Sequence, residues 1–249
     1  MTISTVQLSD GGSYICEATD GFSSPRTNTI TVQIQEKPAT EYFIITTVLD
    51  GYNKLVRPID PVNNITHSLI PMEIFDFDKK KLVMQAMQCM NWNDHRLSWI
   101  RGQPRISLPA SEIWIPDIVL YGQRYMPDFD TKVIVMKDGS VTYCPQGPLT
   151  ATDCTEKAGE KYQCTFKFLS WSYDKVMLDK YFPGFLQRPS IDMSVYRDHH
   201  EYEIVSRCAV RNEVSYPCRI GNYPQLTYTF VLSRDRDFCI NRSINPTCN

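Results

Sequence analysis

The residue of this chain best placed to do chemistry is Trp171, at the end of Cys164-Thr165-Phe166-Lys167-Phe168-Leu169-Ser170-Trp171-Ser172-Tyr173-Asp174. Phe166 and Phe168 alternate with Lys167, the period-two pattern of a strand, and the indole arrives where pairing gives way to loop. A tryptophan there fills a core or faces a ligand. Three other segments are rich in aromatic rings: Trp92-Asn93-Asp94-His95-Arg96-Leu97-Ser98-Trp99, Trp114-Ile115-Pro116-Asp117-Ile118-Val119-Leu120-Tyr121 and Tyr223-Pro224-Gln225-Leu226-Thr227-Tyr228. Such rings offer recognition rather than reaction. The faces of Trp and Tyr attract a quaternary or protonated amine through the ring quadrupole, each desolvated contact contributing up to about 2 kcal/mol. Several rings must converge for that, and packing in a core is the commoner fate of an aromatic side chain.

Reaction chemistry has less to stand on. His199-His200-Glu201 has metal-ligating residue types, but successive strand residues point to opposite faces, and with four histidines in the chain no second cluster supports it. A solvated turn is the expectation there, with no metal and no cofactor. Neither a Gly-x-Ser-x-Gly elbow, a P-loop nor a dinucleotide fingerprint occurs, so nothing in the sequence points to an enzyme. A formal net charge of −2, from 26 basic and 28 acidic residues, supplies no basic field for nucleic acid.

The elements that must position the rings are strands. Segments rich in Val, Ile, Thr and Tyr with turn signals between them indicate an all-β class, and the 249 residues suffice for one large core or two smaller ones. Met72 to Phe77 and Leu82 to Trp92 read as strands, and Asp138-Gly139 between Val133 to Met136 and Val141 to Tyr143 signals a tight hairpin. A short helix precedes them, with Ile45, Val48, Leu49 and Tyr52 on one face and Gly51 at its end, suited to capping a β-sandwich. Asp174 to Arg197, with Pro183, Gly184 and Pro189, reads as the most irregular span.

Nine cysteines, with Asn64-Ile65-Thr66 and Asn241-Arg242-Ser243 as glycosylation acceptors, point to an oxidising, extracellular compartment. No apolar stretch approaches the ~18 residues of a membrane helix, and Met1 to Asp10 lacks the basic and apolar regions of a signal peptide. The N-terminal part explains this start. In Asp10-Gly11-Gly12-Ser13-Tyr14-Ile15-Cys16 a tyrosine two residues before a cysteine matches the corner of an immunoglobulin sandwich, and Thr27 to Gln35 alternates like its last strand. Residues 1–37 are therefore expected to be the C-terminal remnant of an immunoglobulin-like domain, and 38–249 a second domain. Cys16 is then the orphan of the missing half-domain.

The four aromatic segments, in this order, resemble the ligand-binding domain of the Cys-loop receptors, over roughly Ala39 to Phe238. Within that family the chain looks most like the nicotinic branch and the soluble acetylcholine-binding proteins. The resemblance implies a helix-capped β-sandwich that binds a small cationic, acetylcholine-like amine between subunits of a homo- or hetero-pentamer. Motif by motif it puts the principal face of the site at Tyr121, Trp171, Tyr216 and Tyr223. It puts the complementary face at Met87, where the family carries a tryptophan, and at Ile134, Thr142 and Cys144. Trp92, Trp99 and Trp114 are assigned to packing.

Cys154 and Cys164 sit where the family places its defining disulfide, but they enclose only Thr155 to Gln163 and lack the family's Phe-Pro-Phe-Asp type motif. In receptors that loop rests on the membrane domain, so its loss favours a secreted binding protein over the outer half of a channel subunit. The polar Cys239 to Asn249 segment, found where a membrane helix would follow, points the same way. A third reading is an extracellular scaffold whose ligand site has decayed. Cys208 and Cys218 flank a hairpin and are expected to bridge its strands, and Cys239 with Cys248 would tie down the C-terminal tail. Cys218 is followed by Arg219, which excludes a vicinal disulfide. Cys89 and Cys144 fall on strands the family packs side by side, in an inferred register that makes them diagonal neighbours about 7–8 Å apart. Bridging them would require a bulge or a register shift.

Overall fold

The structure, a computed structural model, describes residues 8–22, 24–34, 40–58, 63–123, 127–181, 191–218 and 220–234. It divides into two compact units, Met1–Thr40 and Glu41–Asn249. In the first, strand β1 (Gly12–Ala18) pairs antiparallel with β2 (Arg26–Val32), from Gly12 opposite Val32 to Ala18 opposite Arg26. The Tyr14 hydroxyl donates to the Asp10 carbonyl at 2.7 Å, the bond a tyrosine corner makes. Ile15 and Ile30 are exposed, because two strands offer no second layer against which to bury them. The Cys16 thiol is free and exposed.

The second unit opens with α1 (Glu41–Leu49), which buries Ile44 and Val48 one turn apart. Ile45, Leu49 and Tyr52, expected to share one face with Val48, lie at its half-buried margin. The strands that follow are β3 (Asn63–Phe77), β4 (Leu82–Asn93), β5 (Arg105–Pro109), β6 (Ile118–Leu120), β7 (Lys132–Met136), β8 (Ser140–Tyr143), β9 (Gln146–Ala151), β10 (Thr155–Lys157), β11 (Lys161–Ser170), β12 (Leu178–Tyr181), β13 (Glu203–Ser215) and β14 (Asn222–Ser233). One sheet runs β12-β3-β4-β8-β7-β5, with β9 continuing the pairing along β4. The other runs β10-β11-β14-β13, with β6 against the far end of β11.

The two sheets close on a core of alternating residues. Phe166 and Phe168 of β11 and Tyr228 and Phe230 of β14 are fully buried, and Phe168 and Tyr228 meet the His67 ring of β3 with centroids 4.8 and 5.6 Å away. A buried histidine must have its polar atoms satisfied. Here Nδ1 lies 2.7 Å from the Tyr228 hydroxyl, which also donates to the His67 carbonyl at 3.0 Å. Burial pushes the Tyr228 hydroxyl well above the usual tyrosine range, so it stays neutral.

The motif around Trp92 is architectural. Asp94, fully buried, takes two hydrogen bonds from the Arg96 guanidinium at 2.6 and 2.8 Å and one from the Tyr52 hydroxyl at 2.7 Å. Tyr52 in turn accepts the Trp114 N–H at 3.1 Å, and Arg96 stacks over the Tyr52 ring at 4.5 Å. This knot ties the end of the helix to both tryptophan segments. Trp92 and Trp114 pack edge to face at 6.1 Å, both buried, and the Trp99 indole N–H donates to the Gln103 carbonyl at 3.0 Å. The Asp138-Gly139 turn is fixed from the same side. A Cβ on Gly139, whose φ is +85°, would come within 2.6 Å of the Asp94 carbonyl oxygen.

The cysteines depart from expectation in two places. Cys89 and Cys144 form a disulfide with a Cα separation of 4.1 Å. They are not diagonal neighbours: Met90 pairs with Tyr143 and Met87 with Gln146, so Cys89 stands directly opposite Cys144, with no bulge between β4 and β8. Cys208 and Cys218 are not joined. Cys208 is disulfide-bonded, and Cys218 is a free, exposed thiol. The hairpin turn lies between Ser215 and Asn222, so Cys208 precedes it on β13 and Cys218 lies within it. The seven strand steps from Cys208 to Ser215, at about 3.3 Å each, already separate them by roughly 23 Å. Cys239, Cys248 and the Asn241 acceptor lie outside the described residues. Cys154 and Cys164 are joined, closing the β10–β11 hairpin behind a short turn, Ala158 to Glu160. Asn64 is exposed on β3.

Candidate functional site

Register decides where each expected site residue points. On β11 the even-numbered Cys164, Phe166 and Phe168 face the core, so Lys167, Leu169 and Trp171 face away. The β6–β11 ladder sets Ser170 opposite Ile118 and Phe168 opposite Leu120, which puts Asp117 across from Trp171 and Tyr121 across from Lys167. The Trp171 N–H donates to the Asp117 carbonyl at 3.2 Å, and the Tyr121 N–H to the Lys167 carbonyl at 2.8 Å. Tyr121 and Trp171 thus share the outer face, four residues apart, or roughly 13 Å along the strand. Leu169 pairs with Gln225 on β14, and two residues further Tyr223 comes opposite Trp171 on that same face. Val214 pairs with Tyr223, and Tyr216, just past the end of β13, meets Tyr223 edge to face at 5.8 Å.

One sheet face therefore carries Tyr121, Trp171, Tyr216 and Tyr223. Trp171 is 60% exposed and Tyr121 53%, Tyr216 is half-buried and Tyr223 is 7% exposed. An indole that open is not a core residue.

The turn carrying Trp171 is pinned by a carboxylate. Asp117 Oδ1 accepts the Ser170 hydroxyl at 2.6 Å and Oδ2 the Ser172 N–H at 2.7 Å. The Ser170 oxygen accepts the Tyr173 N–H at 2.9 Å. Asp117 belongs to the Trp-Ile-Pro-Asp motif. Sequence reasoning quoted it as a landmark and missed its work, although a strand-end acidic residue beside a proline is a familiar turn-holding signal.

The tyrosine hairpin is attached to the turn after Trp171 by contacts that sequence reasoning also missed. The Lys175 N–H donates to the Asn222 carbonyl at 2.9 Å, and Lys175 Nζ lies 2.8 Å from Glu213 Oε2. Arg211 Nη2 lies 2.6 Å from Asp179 Oδ1, and Arg211 Nη1 3.2 Å from Glu213 Oε1. The Lys175 hydrogen bond, aided by Arg211, holds the Glu213 carboxyl below the usual carboxylate range. Charges from two strands, β12 and β13, and a turn meet here, and no local sequence pattern marks them as partners.

The other expected set lies elsewhere. Met87, Cys89 and Asn91 alternate on the outer face of β4, opposite Gln146, Cys144 and Thr142, and Ile134 of β7 is opposite Thr142. Met87, Ile134, Thr142 and Cys144 therefore form one patch, with the Cys89–Cys144 bridge at its centre and the Thr142 hydroxyl bound to Asn91 Oδ1 at 2.7 Å. That patch belongs to the other sheet. The aromatic set and this set face outward from opposite layers, so one chain does not bring them together.

His199 is used locally: its Nδ1 accepts the N–H groups of Glu201 and Tyr202, both at 3.2 Å. Among the described residues no group of three or more His, Cys, Asp and Glu could hold a metal ion, and no helix is long and apolar enough to cross a membrane.

The second unit is a two-layer sandwich with a short helix at its start and an outward-facing cluster of aromatic rings. Residues 41–236 match the neurotransmitter-gated ion-channel ligand binding domain, and the chain belongs to that family. It is 29% identical over 211 residues to the human neuronal acetylcholine receptor subunit alpha-3, a match covering 78% of this chain and 41% of that subunit. It is 28% identical over 203 residues to the rat neuronal acetylcholine receptor subunit alpha-6, covering 76% of this chain and 40% of the subunit. The chain spans about two fifths of the length of these relatives. Among solved structures, the Capitella teleta AChBP in complex with lobeline superposes with a TM-score of 0.67 at 23% identity, over 78% of this chain and 98% of that one. That likeness establishes the sandwich fold.

Proposed function

We propose that this domain binds a small cationic, acetylcholine-like amine against Tyr121, Trp171, Tyr216 and Tyr223, in an extracellular, pentameric assembly. The carrying observation is the common outward face of these four rings, with Trp171 60% exposed although it is large and apolar. The layout supports ring assembly. Because the Met87, Ile134, Thr142 and Cys144 patch faces out from the opposite layer, a head-to-tail neighbour would present it to the rings, a heterologous contact that builds a ring when its rotation closes. Met87 there gives a softer wall than an aromatic ring, which favours weaker binding of compact ammonium groups.

Within this reading the protein acts as a soluble binding module. The support is the Cys154–Cys164 segment, a tight hairpin with a three-residue turn rather than a projecting loop. The other reading, the ligand-binding part of a nicotinic-type channel subunit, rests on the identity to acetylcholine receptor subunits. Residues 1–37 are best read as the end of an immunoglobulin-like domain, on the strength of the Tyr14 corner bond.

Calorimetry of assembled protein with acetylcholine and tetramethylammonium tests the binding reading. Trp171→Ala is expected to weaken acetylcholine about tenfold, the loss of one well-placed cation–π contact. Binding that survives this substitution unchanged would refute the aromatic site. Absence of any amine binding would leave a scaffold with a decayed site.

A further inference from the structure

We infer that the hairpin bearing Tyr216 and Tyr223 is clamped from behind onto the Trp171 turn, and that this clamp sets how long an amine stays bound. The inference rests on the amine-binding reading proposed above. Its residues touch no ligand. Arg211 and Glu213 pair with Leu226 and Pro224, on the face of the hairpin opposite Tyr223, so they act by positioning the rings in front of them.

The clamp joins the two layers. Its fixed half is the turn Asp174 to Met177, in which Asp174 Oδ1 accepts the Val176 N–H at 3.1 Å and the Asp174 carbonyl accepts the Leu178 N–H at 2.9 Å. Leu178 is fully buried and opens β12, which lies parallel to β3, with Leu178 opposite Asn63 and Asp179 opposite Asn64. The anchor is therefore part of the seven-stranded sheet. The hairpin, part of the other sheet, meets it in three ways. The Asn222 carbonyl takes the Lys175 N–H, Glu213 takes the Lys175 ammonium, and Arg211 reaches Asp179.

Close packing completes the attachment. Gly221 has φ +91°, and a Cβ there would lie 2.4 Å from Asp174 Oδ2, so only glycine lets the hairpin corner approach this closely. A single exposed ion pair adds little. Here a backbone hydrogen bond, a steric fit and a linked set of four charges act at one place. Such a hairpin is already ordered before ligand arrives, which lowers the conformational cost of binding and slows release.

The test uses assembled full-length chain with lobeline as the probe, release being followed by stopped-flow displacement. Glu213→Gln and Lys175→Met are each expected to speed release about threefold, with the association rate changed less than twofold. Because both variants break the same contact, the double variant should release about threefold to fivefold faster rather than about ninefold. Gly221→Ala, which drives the corner off Asp174, should exceed either single change. In ligand-free protein, hydrogen exchange at the Lys175 amide should quicken in Glu213→Gln and in Gly221→Ala, a readout independent of any amine. Unchanged release in Glu213→Gln and in Gly221→Ala, with lobeline still bound, would overturn the clamp and leave the amine site standing. Failure of wild-type protein to bind lobeline or acetylcholine would overturn the amine reading, and the residence-time inference with it.

Discussion

Replacing Asp117 by alanine should loosen the turn that carries Trp171 while leaving every ring of the aromatic face in the sequence. The side chain accepts two hydrogen bonds, from the Ser170 hydroxyl at 2.6 Å and the Ser172 N–H at 2.7 Å. The two losses are unequal. Ser172 is exposed, so water replaces the carboxylate and the cost is small. Ser170 is fully buried, and its hydroxyl already accepts from the Tyr173 N–H, so its proton would be left without an acceptor. An orphaned buried donor costs about 1–3 kcal/mol, and the lost charge-assisted bond brings the total to about 2–4 kcal/mol, a large share of a typical domain's 5–15. Asp117→Asn keeps one acceptor oxygen and should cost about 1–2 kcal/mol. Urea unfolding would report these as a fall in midpoint without a change in slope. The same substitution frees the turn that aims Trp171, so acetylcholine affinity should drop about tenfold under conditions where the protein remains folded. An Asp117→Ala protein with the wild-type midpoint would show that the Asp117–Ser170 bond does not hold this turn, and wild-type affinity would show that Trp171 is aimed by something else.

Met87→Trp should raise tetramethylammonium affinity about fivefold by restoring an aromatic wall, and calorimetry that detects no gain would remove Met87 from the site. Glu213 is held below its ordinary value of 4.5 by its hydrogen bond from Lys175, so its contribution is complete above about pH 4.5 and disappears as pH falls through the depressed folded value. Hairpin amides at residues 215 and 222 should therefore exchange faster in acid, once the intrinsic pH dependence is subtracted, and Glu213→Gln should abolish that extra acceleration. N-ethylmaleimide applied to native, unreduced protein should modify Cys218, while Cys89, Cys144, Cys154 and Cys164 resist; peptide mapping that finds Cys218 blocked would contradict its free thiol.

What was legible in the sequence and what was not divides along a physical line. Short-range signals carried far: the alternation of Phe166 and Phe168 fixes which way Trp171 points, and Asp138-Gly139 fixes the hairpin between β7 and β8. The register between β4 and β8 is a different kind of quantity, because some fifty residues separate the partners and no turn links them. A two-residue slip keeps every side chain on its proper face, so hydrophobic patterning cannot detect it. Such a slip is what separates diagonal cysteines from the directly opposed pair Cys89 and Cys144. The error over Cys218 arose from the length of a strand: β13 runs on to Ser215, beyond the point where flanking cysteines would suggest a turn, so Cys208 sits well down the strand while Cys218 sits in the turn beyond its end. The charges behind the tyrosine hairpin lie at the same limit. Arg211, Glu213, Lys175 and Asp179 are each unremarkable in sequence, and they become a unit only because β12 leaves the Trp171 turn to join the opposite sheet. Residues that contact a ligand must have particular chemistry, which composition and motif can reveal. Residues that hold those contacts in place need only complementary charge at a distance set by the fold, and for these the tertiary structure is the first place the signal exists.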